Sequence, residues 1–244
     1  MRFDPILELG VLRSRYKRFF ADVELQDGSA ITVHCANTGA MRGCSEPGSR
    51  VAFSRHGRSD RRLAGRLELV CAASVWIGVY PALANTLVAE ACGQGRFTRW
   101  LDPHGSEADA SRAVVVRREV SVPGCTSRFD LELRCAGVQW LVEVKSVSWM
   151  AASVGRFPDA RSLRARRHAD ELAQLALRGQ RVALLFCVQR ADVDRVQAAW
   201  DVDPEYGQAL QRAARAGVKI LAYRCSVALE GIELTDSVPV DLMI

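Results

Sequence analysis

The sequence predicts two units in series: a small all-β barrel over residues 1–75 and a mixed α/β domain over residues 76–244. Three observations carry that expectation. Apolar and polar residues alternate with period two through five short stretches of the first 75 residues. Beyond them, stretches with helical and strand periodicity take turns. One of these, Ala183-Leu184-Leu185-Phe186, is apolar without interruption, as a strand buried on both faces is. A chain of 244 residues is long enough for one large or two modest cores.

In order along the first unit, strands are expected at 6–12, 19–26, 30–35, 50–54 and 66–71. Asp27-Gly28 is a hairpin signal, because both residues tolerate positive φ. Asn37-Thr38-Gly39 and Glu46-Pro47-Gly48 mark further turns. Five short strands in so little chain suggest a closed barrel, either the five-stranded OB-fold or an SH3-like barrel. In the second unit Pro81 to Cys92 reads as a helix, with proline in its first turn and Gly93 at its end. Strands follow at 113–122, 127–134 and 139–147. A helix over about 163–178 closes at Gly179. Arg181 to Gln189 is a strand, Asp203-Pro204 opens a helix that runs to Ala216, and 218–227 is expected as the last long strand.

Composition excludes several classes. No apolar run is long enough to span a membrane, and Met1-Arg2-Phe3-Asp4-Pro5 does not read as an export signal. The eight cysteines are scattered with no C-x-x-C pair, which argues against a zinc ribbon or a disulfide scaffold. They read as reduced, buried, small apolar side chains in a cytoplasmic protein. The net charge of +5 is uneven: residues 1–75 hold 12 Lys/Arg against 8 Asp/Glu, and the rest hold 21 against 20. The excess includes Arg55, Arg58, Arg61, Arg62 and Arg66, which form either a phosphate-contacting patch or a solvated Arg-rich loop.

The sharpest chemical signal is Asp130 on one strand and Glu143-Val144-Lys145 on the next. In a strand Glu143 and Lys145 project from one face. Charges among apolar neighbours must be paired, solvated or metal-bound. The chain has only three lysines (17, 145 and 219), so an ammonium at this place stands out against an Arg-rich background. A helical wheel places Glu90 near Leu83 and Leu87, hence inward, and places His168 at the edge of an apolar stripe. Asp130 and Glu143 suit Mg²⁺ or Mn²⁺, which take one or two carboxylates and complete their shell with water and phosphate oxygens. Lys145 would then act on water or on charge developing at a phosphate. The plainer alternative is a buried carboxylate–Lys ion pair.

Arg15, Tyr16, Lys17, Arg18, Phe19 and Phe20 interleave cations and aromatics, as a platform for single-stranded nucleic acid does. If 16–20 is a strand, at least one of these aromatics is expected in the core. Asn37 and Thr38 offer hydrogen bonds beside a glycine that permits close approach, unless they form a plain turn. Gln189-Arg190, at the end of the apolar strand, offers a phosphate contact, though an ordinary strand end is the simpler reading. No helix displays a row of base-reading residues, which argues against sequence-specific DNA recognition.

At this point the sequence resembles a known family over essentially its full length. The matching stretches include Arg15-Tyr16-Lys17-Arg18-Phe19, His34-Cys35-Ala36-Asn37-Thr38-Gly39-Ala40-Met41 and Ser127-Arg128-Phe129-Asp130. Further matches are Val142-Glu143-Val144-Lys145-Ser146-Val147, Phe157-Pro158-Asp159-Ala160, Asp203-Pro204-Glu205-Tyr206 and Gly217-Val218-Lys219-Ile220. These are similar to the sugar fermentation stimulation protein A family. The resemblance implies an N-terminal OB-fold and a C-terminal domain like the PD-(D/E)xK nucleases. It implies non-specific DNA binding and a regulatory link to sugar (maltose) metabolism. It places Glu90, Asp130, Glu143 and Lys145 on nuclease-like catalytic positions, with Asp130 and Glu143 as ligands of Mg²⁺ or Mn²⁺. Arg15, Lys17, Arg18, Asn37, Thr38, Arg61 and Arg62 are the expected nucleic-acid contacts.

Overall fold

The computed structural model describes residues 1–55, 63–101, 115–135 and 137–243. Arg58, Arg61 and Arg62 lie outside the described residues. The first unit comprises β1 (Glu8–Tyr16), β2 (Phe20–Glu24), β3 (Ala30–His34), β4 (Arg50–Arg55), β5 (Gly65–Ala72) and β6 (Val75–Gly78). β1 pairs with β2 and β4, β2 with β3, and β4 with β5, all antiparallel. A parallel bridge from His34 of β3 to Arg66 of β5 closes the ring. The closed order β1-β2-β3-β5-β4 is that of an OB barrel rather than an SH3-like one. Period-two alternation fills it: Leu12, Val23, Val33, Val51, Phe53 and Leu67 all point inward and are fully buried.

The β1–β2 hairpin departs from expectation. Residues 17–19 form a turn, with Lys17 and Arg18 at φ of 48° and 63°, so no strand runs through 16–20. Tyr16 and Phe19 are exposed and Phe20 is half-buried, so none of the three belongs to the core.

In the second unit a six-stranded mixed sheet runs in the order β15-β14-β12-β9-β8-β7. Its strands are β7 (Val115–Ser121), β8 (Arg128–Cys135), β9 (Val138–Val147), β12 (Val182–Val188), β14 (Lys219–Ala228) and β15 (Gly231–Ser237). β15 pairs antiparallel with β14, so 218–227 is not the last long strand. The central strand β12 is buried at every position, as its continuous apolar run requires. A smaller sheet, β10 (Met150–Ala151), β11 (Val154–Phe157), β13 (Arg195–Ala198) and β16 (Val240–Asp241), flanks it.

Helices cover both faces of the six-stranded sheet. On one face α1 (Leu83–Gly93) packs with Leu131, Leu133, Val142 and Val144, and with Leu7, Ala52 and Leu69 from the barrel. The short α2 (Thr98–Leu101) follows it. On the other face α3 (Leu163–Leu177) and α4 (Pro204–Arg215) pack with Leu141, Val147, Leu184 and Phe186. Both of these helices start at a side-chain cap. Ser162 accepts from Ala165 N at 3.1 Å, and Asp203 accepts from Tyr206 N at 3.0 Å with Pro204 in the first turn. Asp203 also accepts from Ser162 N and from Arg166, which ties the two helix starts together.

Candidate functional site

The site begins where two strands part. β8 and β9 pair from Cys135↔Val138 to Leu131↔Val142, and there the ladder ends. One residue further on, the Asp130 carboxylate takes over the backbone's role: Oδ2 accepts from Val144 N at 2.7 Å. Phe129 and Leu131, two residues apart, pack in opposite cores, so β8 turns over at Asp130. Asn85 of α1 donates to the other oxygen, Oδ1, at 2.8 Å. Burial, and then the charge of Glu143, push the Asp130 carboxyl up to about 6.

Glu143 and Lys145 share one face of β9, as the strand period requires, and that face looks toward α3. Lys145 Nζ donates to Glu143 Oε1 at 2.5 Å, and His168 Nδ1 of α3 lies 2.5 Å from the same oxygen. On its other side the His168 ring meets Arg164, whose Nε lies 3.4 Å from Nε2. Glu143 is 2% exposed and Lys145 8%. Burial alone would raise the Glu143 carboxyl, but His168 and Lys145 outweigh it and hold the group below its ordinary value. Its second oxygen, Oε2, is buried and has no hydrogen-bond partner.

A cleft of about 580 Å³ joins this cluster to the barrel. Asp130, Glu143 and Lys145 line it from the α/β domain, and Arg18, Asn37 and Thr38 line it from the barrel. Asn37 is 7% exposed, and its Oδ1 accepts from Gly39 N at 2.9 Å, which leaves the amide donors for a ligand. The cleft is held together by Asp159. Its Oδ2 accepts from Met41 N at 2.9 Å, and its backbone carbonyl accepts from Arg42 Nε at 3.1 Å. Gly39 is needed here, because a Cβ would sit 2.4 Å from that Oδ2.

Not every expected residue arrives. Glu90 lies on the surface, paired with the Met1 ammonium at 2.7 Å, and does not line the cleft. Leu83 is the edge, not the middle, of the buried arc formed by Leu83, Ala84, Leu87, Val88, Ala91 and Cys92. At about 100° per residue, Glu90 falls about 110° from the middle of that arc. Glu143 and Lys145, moreover, face α3 and not α1. Arg15 is committed to structure: its Nη2 donates to the carbonyls of Asn37 and Gly39 at 2.8 and 2.9 Å. Lys17 stands exposed at the hairpin tip. Arg190 pairs with Asp192 and donates to Ser148 O, as an ordinary strand end does. Among the described residues no disulfide joins any of the eight cysteines, seven of which are buried and one, Cys125, half-buried.

Sequence patterning does not single out Asn85, the one amide in a helix that also carries Thr86 and Glu90. His168, at the edge of its helix's apolar stripe, takes its role from Glu143, which only the tertiary fold sets beside it. Glu119 of β7 also lines the cleft, at φ 52°, a conformation with no signature in its sequence.

The donor set fits a divalent cation. Two carboxylates line one cleft with one buried oxygen left without a partner, and a cation would offset the burial and the Glu143 charge that together raise Asp130. Among the described residues no group of three His, Cys, Asp or Glu side chains forms a cage. Hard cations that keep water and substrate oxygens need no such cage.

Comparison with known proteins extends the picture. Residues 82–231 match the family described as "Sugar fermentation stimulation protein RE domain", and residues 14–79 match "SfsA N-terminal OB domain". The chain belongs to the sugar fermentation stimulation protein family. A homolog from Shewanella sp. (strain MR-4) is 41% identical over 242 residues, covering 98% of this chain and 99% of that one. A homolog from Nitrosococcus oceani is 42% identical over 246 residues, covering 99% and 100%. Among solved structures, Pyrococcus furiosus SfsA in complex with Ca²⁺ superposes with a TM-score of 0.81 at 22% identity, covering 99% of this chain and 98% of that one. No helix among the described residues is long and apolar enough to cross a membrane.

Proposed function

We propose that this family member binds DNA without sequence preference, with the strand lying in the cleft between the barrel and the α/β domain. The observation that carries the reading is the cleft itself. One wall offers Arg18, Asn37 and Thr38, and the facing wall offers the Asp130, Glu143 and Lys145 cluster. A cation of the charge type borne by the Pyrococcus furiosus relative, which was solved with Ca²⁺, would be held here by Asp130 and Glu143. Mg²⁺ or Mn²⁺ suits the same oxygens. Such an ion supplies Lewis acidity at a phosphate oxygen. The chain's own groups do the rest: Arg18 and the Asn37 amide grip the backbone, and Lys145 offsets negative charge. His168 holds Glu143 in place. The same reading assigns the protein a part in the regulation of sugar (maltose) metabolism.

Contacts to phosphates release counterions, so log K should fall linearly with log salt, with a slope proportional to the phosphates neutralised. Fluorescence anisotropy across a salt series measures this, and an affinity indifferent to salt would sink the reading.

A second reading is a Mg²⁺- or Mn²⁺-dependent nuclease. The buried Lys145 ammonium beside two carboxylates favours it, since such a cation stabilises charge that develops on a phosphate. Incubation of single- and double-stranded DNA with protein and metal tests it. Cleavage that disappears in Asp130→Asn supports the enzyme, and intact DNA under every metal rejects it.

A further inference from the structure

The barrel carries an aromatic row that the cleft does not account for. β2 and β3 point Ala21 and Val33 inward, so Phe20 and His34 share the outer face, and Tyr16 joins them because the register shift between Leu12 and Ser14 sets it opposite Phe20. Tyr16 is the register partner of Phe20, and Phe20 is the register partner of His34. The Tyr16 and Phe20 rings stack at 5.5 Å between centroids. Phe19, from the hairpin turn, stacks on His34 at 6.4 Å with 13° between the planes. Four rings thus run in a row across three strands, and its two ends, Tyr16 and Phe19, are 40% and 46% exposed. The Tyr16 hydroxyl donates to Asp22 Oδ1 at 3.3 Å, which fixes the orientation of the ring. Asp22 is further occupied by the hydroxyls of Thr32 and Ser14.

The surroundings identify the occupant. Lys17 and Arg18 sit at the tip of the same hairpin and make no ion pair among the described residues. Arg18 also lines the cleft that holds Asp130 and Glu143. Exposed rings next to cations that make no ion pair, continuous through Arg18 with the cleft, match a polymer that alternates flat bases with anionic phosphates. In a duplex the bases are stacked on one another and cannot reach such rings. An apolar protein partner would use the rings but leave the two cations without counterparts.

We infer that the Tyr16–Phe20–His34–Phe19 row is a base-stacking platform for unpaired nucleotides, so that the protein prefers single-stranded DNA or a single-stranded flank leading into the cleft. The inference rests on the DNA-binding reading above and adds strandedness to it.

Anisotropy of a short fluorescent oligonucleotide, single-stranded and as a blunt duplex, tests it on the full chain at low salt. The single strand should bind more tightly to the wild type. The double variant Tyr16→Leu/Phe19→Leu keeps apolar volume at exposed positions but removes the ring faces. It should weaken single-strand binding at least about tenfold, the loss of stacking on one or two bases, with duplex binding held within about twofold. Tyr16→Phe, which keeps the ring, should retain single-strand affinity. Equal weakening of both substrates, or no weakening of either, overturns the platform while leaving DNA binding intact. Loss of a dimer in the double variant assigns the row to a second copy of the chain and also overturns it. Failure of the wild type to bind either DNA overturns the DNA reading and the platform with it.

Discussion

At the scale of single residues, Asp130 is the group whose protonation should be felt most. Its carboxyl is raised from 3.8 to about 6, first by burial and then by Glu143. Between those values the folded chain binds the proton more tightly than the unfolded one. The stability this proton confers is therefore present at low pH and is lost as pH rises through about 4 to 6. In chelator, Asp130→Asn should melt higher than the wild type at about pH 8, by an amount on the order of 2 kcal/mol, and show no gain at about pH 4. A variant less stable at both pH values would mean that the charged carboxylate is not a burden. A bound cation needs that carboxylate ionised, so Mn²⁺ affinity in the wild type should fall below about pH 6. His168 acts at one remove, through Glu143 Oε1. His168→Ala should cost about 10- to 100-fold in Mn²⁺ affinity by calorimetry, the usual effect of removing a ligand's orienting partner. His168→Asn, whose amide can donate from nearly the same place, should recover most of it. Equal losses in both variants, with unchanged melting, would argue against a positioning role.

Among the elements, α1 separates what the sequence can say from what it cannot. Its existence and length were legible from Pro81, the apolar positions and Gly93, because those signals are local. Its phase was not, because two faces meet apolar partners and the buried arc can be placed only once the sheet and the barrel are both present. Asn85 and Glu90 flank that arc on opposite sides, and only Asn85 reaches the site. Glu90→Gln should leave cation affinity unchanged and cost under about 1 kcal/mol, since its ion pair is on the surface. Asn85→Ala removes a hydrogen bond that lowers the Asp130 carboxyl, and should move the midpoint of cation affinity to higher pH. An Asn85→Ala profile that coincides with that of the wild type would show that the amide does not tune Asp130. The strands divide in the same way. β8 and β9 were readable because alternation runs through eight and ten residues. The strands β11, β13 and β16 have four, four and two, too few for a period to register. Glu143 and Lys145 were placed on one face correctly because the strand period is short-range geometry. His168 became their partner only through a helix that returns to the sheet from elsewhere in the chain.

For the molecule as a whole, the question is what brings the barrel wall and the carboxylate wall into one cleft. Asp159 accepts from Met41 N across the boundary, Arg42 returns a bond to its carbonyl, and Gly39 leaves room for the carboxylate. Nothing in the local sequence announces this clamp, because its halves lie 118 residues apart. Asp159→Ala leaves Met41 N without an acceptor in a partly buried place, which costs about 1–3 kcal/mol. The cation site should survive, since Asp130, Glu143, Lys145 and His168 all belong to the α/β domain. DNA affinity should not, because the grip of Arg18 and Asn37 depends on their distance from that cluster. We therefore expect Mn²⁺ binding within about twofold of wild type by calorimetry and DNA binding weaker by at least about fivefold in anisotropy, a loss of roughly 1 kcal/mol. Gly39→Ala, which pushes a methyl group into the same carboxylate, should act in the same direction. If DNA affinity stays at the wild-type level in both variants while melting falls, the two walls bind independently and the clamp serves stability alone.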